Sequence, residues 1–143
     1  MDYNKIIIAI DDGPLAEKVA IEGYQLANKL RAEIALVSVV DTTLNLSEGG
    51  ITPAELTGLI KRDFRKVHKF LIEQKFHDNK VRSFVEEGVP YQTITRIAKE
   101  WGADAIVIGT HGRTGLSHLI MGSVAEKVIR HWANPTFIIP SAK

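Results

Sequence analysis

Ile6-Ile7-Ile8-Ala9-Ile10 is an unbroken apolar run that ends abruptly at Asp11-Asp12-Gly13-Pro14. A strand with one wet face alternates apolar and polar residues. A strand covered on both faces stays apolar throughout, as parallel strands between two layers of helix do. The run therefore predicts a first, central strand. Beyond it, Pro14 suits a first helical position, and Leu15, Val19, Leu26, Ala27 and Leu30 recur at three- and four-residue spacing, predicting a helix that ends near Arg31.

The same alternation continues along the chain. Ile34 to Val40 reads as a second strand, and the polar Asp41 to Gly50 as a surface loop. A second helix is expected from Thr52-Pro53 to about Phe76, with an apolar stripe of Leu56, Leu59, Ile60, Phe64, Val67 and Leu71. Lys61, Arg62, Arg65 and Lys66 then fall mostly on a solvated face. Val81 to Glu86 is a third strand, and Gly88-Val89-Pro90 leads into a helix carrying Ile94, Ile97, Ala98 and Trp101 that Gly102 can end. Ala105 to Ile108 is a fourth strand, Val124 to Trp132 a last helix, and Thr136 to Ile139 a fifth strand after the break at Asn134-Pro135.

Five strands joined by helices through right-handed crossovers give a doubly wound parallel α/β sheet of order 3-2-1-4-5, a Rossmann-like arrangement. Strands one and four are then neighbours at the point where the winding reverses, and a crevice opens at their carboxyl ends. The loops that follow those two strands are brought together there.

Composition bounds what such a crevice can hold. The chain has 143 residues, 45% of them hydrophobic, enough for one core, and is expected to form a single domain over 1–143. A net charge of +1 gives no global pull toward nucleic acid or an anionic membrane, so a bound anion needs a local site. Cysteine is absent, which excludes disulfides and thiolate chemistry. No apolar run is long enough to span a bilayer, and Met1 to Lys5 leads into no signal-peptide core, so a cytoplasmic location is expected.

The most informative segment runs from Gly109 to Ser123 and contains G-x2-G-x9-G-S, formed by Gly109, Gly112, Gly122 and Ser123. Glycine lets backbone approach an anion closely or take positive φ, and it can aim successive N–H groups inward. Gly122 and Ser123 stand where the last helix begins, with free N–H groups, a positive dipole end and a hydroxyl. Phosphate is the natural guest, to which Arg113 can add a charge. The competing structural reading is a loop whose glycines only make turns.

Here the chain resembles the universal stress protein family over essentially its full length. The matching residues are Ala9-Ile10-Asp11, Val37-Ser38-Val39-Val40, Gly88-Val89-Pro90, Gly109-Thr110-His111-Gly112 through Gly122-Ser123-Val124-Ala125, and the closing Pro135 to Pro140. The resemblance implies an adenine nucleotide alpha hydrolase-like fold, the ATP-binding branch of the family with ATP and Mg²⁺ as ligands, and a homodimer joined along the last strand. It also implies residue roles. Asp11 meets the nucleoside, Ala9 and Ile10 flank the adenine, and Val39 or Val40 contacts the base. Gly109, Gly112, Arg113, Gly122, Ser123 and Val124 line the ribose and phosphates, and Ile108, His111, Gly115 and Ala125 complete the nucleotide-binding set. The family commonly reads Asp-Gly-Ser after its first strand, whereas Asp12 intervenes here. Its carboxylate can repel a triphosphate, help hold Mg²⁺, or simply cap the helix, the reading preferred here.

The remaining polar residues are read structurally. His111 and His118 are expected in loop packing or ligand contact, His68 and His77 solvated on or after the charged helix, and His131 at a helix's negative pole. Trp101 and Trp132 are expected as core or interface aromatics. No G-x4-G-K-[ST] lysine, poised base or nucleophile elbow is present, so no catalytic residue is assigned. The expected function is a nucleotide-dependent regulatory module in the stress response. A slow ATPase or phosphotransfer enzyme using Asp11, Asp12 or His111, and a nucleotide-free dimerisation or interaction module, remain open alternatives.

Overall fold

The computed structural model describes residues 2–44, 49–110 and 121–141. Element order is β1 (Lys5–Ala9), α1 (Ala16–Lys29), β2 (Glu33–Asp41), α2 (Pro53–Phe70) with a π-helical continuation (Leu71–Phe76), β3 (Arg82–Gly88), α3 (Pro90–Trp101), β4 (Ala105–Gly109), α4 (Ser123–His131) and β5 (Thr136–Ile139). The five strands form one sheet in the order β3-β2-β1-β4-β5, every pair parallel, as the sequence predicts.

Side chains on successive strand residues point to opposite faces, and both faces of β1 are covered. Ile6 and Ile8 pack with Val19, Ala20, Leu36 and Val107 beneath α1 and α2, while Ile7 and Ala9 pack with Val37, Ile97, Ile106 and Val128 beneath α3 and α4. Ile6, Ile7 and Ile8 are all fully buried. Each such side chain contributes roughly 1.5–3 kcal/mol, which is why an uninterrupted apolar run marks the middle of this sheet. Gly23 lets α1 approach closely: a Cβ there would meet Ile8 Cδ1 and Val107 Cγ1 at 3.1 Å. Gly102 ends α3 at φ 85°, a left-handed turn that glycine takes without strain.

Several boundaries and one helix face differ from the sequence expectation. Helix α1 starts at Ala16 with Leu15 as its N-cap, and Pro14 lies in the preceding turn; Asp12 does not cap it. A local turn consumes these residues first, because Asp11 Oδ1 accepts from Gly13 N at 2.9 Å and Gly13 O from Ala16 N at 3.2 Å. Strand β3 is shifted to Arg82–Gly88 because Val81 N bonds back to Asp78 O. Helix α4 gains one residue at its start, Ser123.

Helix α2 begins as its sequence indicates, with Thr52 Oγ1 accepting from Glu55 N at 3.1 Å and Pro53 in the first position. Its buried line, however, runs through Thr57, Phe64, His68 and Leu71. Leu59 and Val67, read as core positions, are 38% and 41% exposed. His68, expected in solvent, is 1% exposed. His77 is exposed, as expected.

Candidate functional site

A cavity of about 720 Å³ opens over the carboxyl ends of β1, β2 and β4, where the winding of the sheet reverses. Ala9, Ile10, Asp11 and Asp12 enter it from β1 and the turn after it; Val37, Val39, Val40 and Asp41 from β2; Ile108, Gly109 and Thr110 from β4; and Gly122, Ser123, Val124 and Ala125 from the start of α4. Leu15 and Val19 of α1, Leu56, Ile60 and Phe64 of α2, and Pro90 and Ile94 of α3 complete an apolar wall. One end is therefore polar main chain and the other hydrocarbon, a combination suited to a ligand with an anionic part and a flat or apolar part.

The polar end is built by helix geometry. Glu126 N makes the first intrahelical bond of α4, to Gly122 O at 3.0 Å, which leaves the amides of Ser123, Val124 and Ala125 without a backbone partner inside the helix. Gly122 makes no side-chain cap, having no side chain, so nothing of its own shields these donors from the cavity. They carry the positive end of the helix dipole. The Gly122 amide differs from the sequence expectation: it is not free but donates to Thr110 O at 2.6 Å. Gly122 itself has φ −64° and is buried, so no unusual backbone angle calls for glycine there. Thr110 N in turn donates to Ile139 O at 3.1 Å, and its Oγ1 accepts from Ser141 N at 3.1 Å.

A buried polar chain supports the opposite wall. Ser38 Oγ donates to Ile10 O at 2.8 Å, at the very end of β1, and contacts His68 Nε2 at 2.8 Å. Since the only serine hydrogen goes to the carbonyl, Nε2 carries the proton and donates to Ser38. Nδ1 is then the acceptor for the Ser83 hydroxyl at 2.6 Å. Both ring nitrogens are satisfied in the neutral form, and burial pushes the His68 pKa down to about 4.

The structure thus brings together Ala9, Ile10, Asp11, Val39, Val40, Ile108, Gly109, Gly122, Ser123, Val124 and Ala125. His111, Gly112, Arg113 and Gly115, with His118, lie outside the described residues. Among those described, no cluster of three or more metal-ligating side chains occurs. Sequence reasoning missed the apolar wall from α1, α2 and α3 and the Ser38–His68 support. Periodicity marks Leu56, Ile60 and Phe64 as apolar but does not separate cavity wall from core. Trp101 and Trp132 pack partly buried against the α3/α4 side of the core, and His131 is exposed at the end of α4 with Nδ1 2.7 Å from Lys127 O.

Residues 2–140 match the family model described as the universal stress protein family. The chain belongs to that family. Universal stress protein MJ0531 of Methanocaldococcus jannaschii is 31% identical, covering 99% of this chain and 84% of its own length. MJ0577 of the same organism is 28% identical over 96% of this chain and 94% of its own. The solved MJ0577 structure superposes with a TM-score of 0.83 at 23% identity, covering 100% of this chain and 99% of that one. A universal stress protein from Archaeoglobus fulgidus in complex with dAMP gives 0.61 at 24% identity, with 97% and 99% covered. One in complex with cAMP gives 0.70 at 15% identity, with 99% and 100% covered. This universal stress protein therefore shares its α/β fold with all three structures.

Proposed function

We propose that this universal stress protein binds an adenine nucleotide in the cleft, ATP with Mg²⁺, and acts as a nucleotide-dependent regulatory module. The observation that carries this reading is the cluster of amides at Ser123, Val124 and Ala125, which opens into a cavity whose other walls are apolar. An anion at the helix start would take donors that have no partner in the helix, while Val39, Val40 and Ile10 offer a dry slot for a planar base. Two family members of this fold are complexes with adenine nucleotides, cAMP and dAMP, which favours adenine as the base.

The residues fit the metal as well as the nucleotide. Mg²⁺ is usually held by one or two carboxylates together with the phosphates it accompanies, and Asp11 and Asp12 both line the cavity. When bound, the ion neutralises charge on the phosphates. Asp11 Oδ1 also fixes the turn that carries both carboxylates, through Gly13 N. His68 is no candidate base, because both its nitrogens are committed and it resists protonation. Binding and signalling, rather than rapid turnover, is the role this chemistry suits. The proposed working form is a single-domain cytoplasmic protein that pairs through β5. No described helix is long and apolar enough to cross a membrane.

Titration calorimetry with ATP, AMP and GTP in the presence of Mg²⁺ tests the reading. The expected result is saturable heat with both adenine nucleotides and much weaker heat with GTP. Absence of heat at millimolar ATP, with no nucleotide copurifying by mass spectrometry, overturns it.

A further inference from the structure

The outward side of α2 carries an uncompensated positive charge. Lys61, Arg62, Arg65, Lys66 and Lys69 against Glu55 and Asp63 give this helix +3, whereas the whole chain carries +1, so everything outside α2 sums to −2. Of the described bases outside α2, Lys18, Lys75, Arg96 and Arg130 lie beside carboxylates, and the others are scattered singly over several elements rather than gathered on one helix. On α2 Lys61 alone has such a partner, Glu87 at 3.5 Å. Arg62, Arg65, Lys66 and Lys69 are exposed and, among the described residues, within ion-pair reach of no carboxylate.

Beside this basic row lies an apolar one. Leu59, Val67 and Phe70 are 38%, 41% and 49% exposed. At about 100° per residue they share one flank of the helix, and Arg62, Lys66 and Lys69 the adjacent flank, over a length of about 16 Å. Next to Leu59, where Gly58 has no side chain, a shallow depression of about 360 Å³ is lined by Ile51, Glu55, Gly58, Leu59 and Arg62.

We propose that this face of α2 docks an acidic amphipathic helical segment of a partner protein. Its apolar seam lies along Leu59, Val67 and Phe70, its carboxylates meet Arg62, Lys66 and Lys69, and one apolar side chain fills the depression at Gly58. Charge decides the occupant. A second copy presenting the same face would oppose base to base, an arrangement that costs association energy. A bilayer needs apolar side chains that insert, and all three here are more than half covered, too shallow to do so. An acidic helix matches both rows at once, in the manner of helix-in-groove recognition. The same helix supplies Leu56, Ile60 and Phe64 to the cleft, so the docked segment rests on an element that walls the proposed nucleotide site.

The probe is a synthetic peptide of about five helical turns, with leucines along one seam and glutamates flanking it, titrated into the ¹⁵N-labelled protein. Amide shifts concentrated between Ile51 and Phe70 are expected. Arg62→Glu combined with Lys66→Glu and Lys69→Glu should weaken binding about tenfold or more, since three exposed charge pairs are reversed. Leu59→Ser with Phe70→Ser should also weaken it, while spectra of the free variants retain the dispersion of the parent. The proposal is overturned if the peptide does not bind, if its shifts map elsewhere, or if replacing its glutamates by lysines leaves binding unchanged. Sedimentation with mixed phosphatidylcholine and phosphatidylserine vesicles that the triple substitution removes would make the occupant a membrane. Shifts at the same amides on raising protein concentration alone would make it a second copy.

Discussion

The two ends of the sheet solve the same problem in opposite ways. At the amino ends, Asp104 Oδ2 accepts from Asn4 N at 2.7 Å and Lys5 N at 2.9 Å, and Asp104 N donates to Lys5 O at 2.7 Å. Lys5 Nζ closes the corner on Trp101 O at 3.2 Å. The protein places its own carboxylate on two exposed amides, and that end is finished. At the carboxyl ends, the amides of Ser123, Val124 and Ala125 open into a cavity beside a glycine that offers no side chain to cap them. An unfilled donor cluster costs free energy unless water or a ligand satisfies it, so the contrast separates a structural end from a binding end.

The sharpest way to break this contrast is to fill the open end. Gly122→Val should place a side chain in the space an anion needs and weaken ATP binding by about 100-fold or more, while stability falls by about 2 kcal/mol or less, the range of N-cap substitutions. Calorimetric titration and urea unfolding of the same sample check both halves, and undiminished ATP affinity would refute the assignment of the helix start as the anion site.

The next effect concerns the wall behind the open end. His68 has a folded pKa of about 4, below its ordinary 6.5. The unfolded chain therefore binds a proton that the fold refuses, and stability is fully present above pH 6.5 and lost as pH falls toward 4. At pH 5 the loss is about 2 kcal/mol relative to pH 7. In His68→Gln the difference between unfolding free energies at pH 7 and pH 5, from urea titration, should shrink by about that amount; an unchanged difference would mean that His68 is not held neutral.

Asp104→Ala probes the finished end. Two amides lose their acceptor, and a cost of about 1–2 kcal/mol is expected in unfolding experiments. Nucleotide affinity should stay within about twofold of the parent, since nothing at the carboxyl end is altered. A large loss of affinity would erase the distinction between the two ends. Ser123→Ala carries the smallest effect: one hydroxyl is removed while the backbone donors remain, so ATP binding should weaken by only about three- to tenfold.

How much of this was legible in the sequence depends on which force decides each element. Strand order and the meeting of the carboxyl ends of β1 and β4 were readable, because burial on both faces leaves short apolar runs that alternate with helical periods. The helix start at Ser123 was readable to one residue from Gly122 and the apolar spacing beyond it. Helix α2 was read rotated. Leu59 and Val67 match the apolar period as well as Thr57 and His68 fail it, yet the helix turns the latter pair inward. What reverses the choice is long-range: Ser38 and Ser83, distant in sequence, satisfy both nitrogens of His68, and no local pattern announces that. Pro14 misled for a related reason, since the Asp11 carboxylate and Gly13 form a turn that delays α1 by two residues.

Thr110 ties three parts of the chain together: its carbonyl receives Gly122 N, its amide reaches Ile139 O, and its hydroxyl receives Ser141 N. It works as a rivet through the outer edge of the sheet. The end of β5 and the first turn of α4 are thereby fastened to one residue, so neither can shift without dragging on the other. Tension applied to the last strand is therefore delivered at the mouth of the cavity.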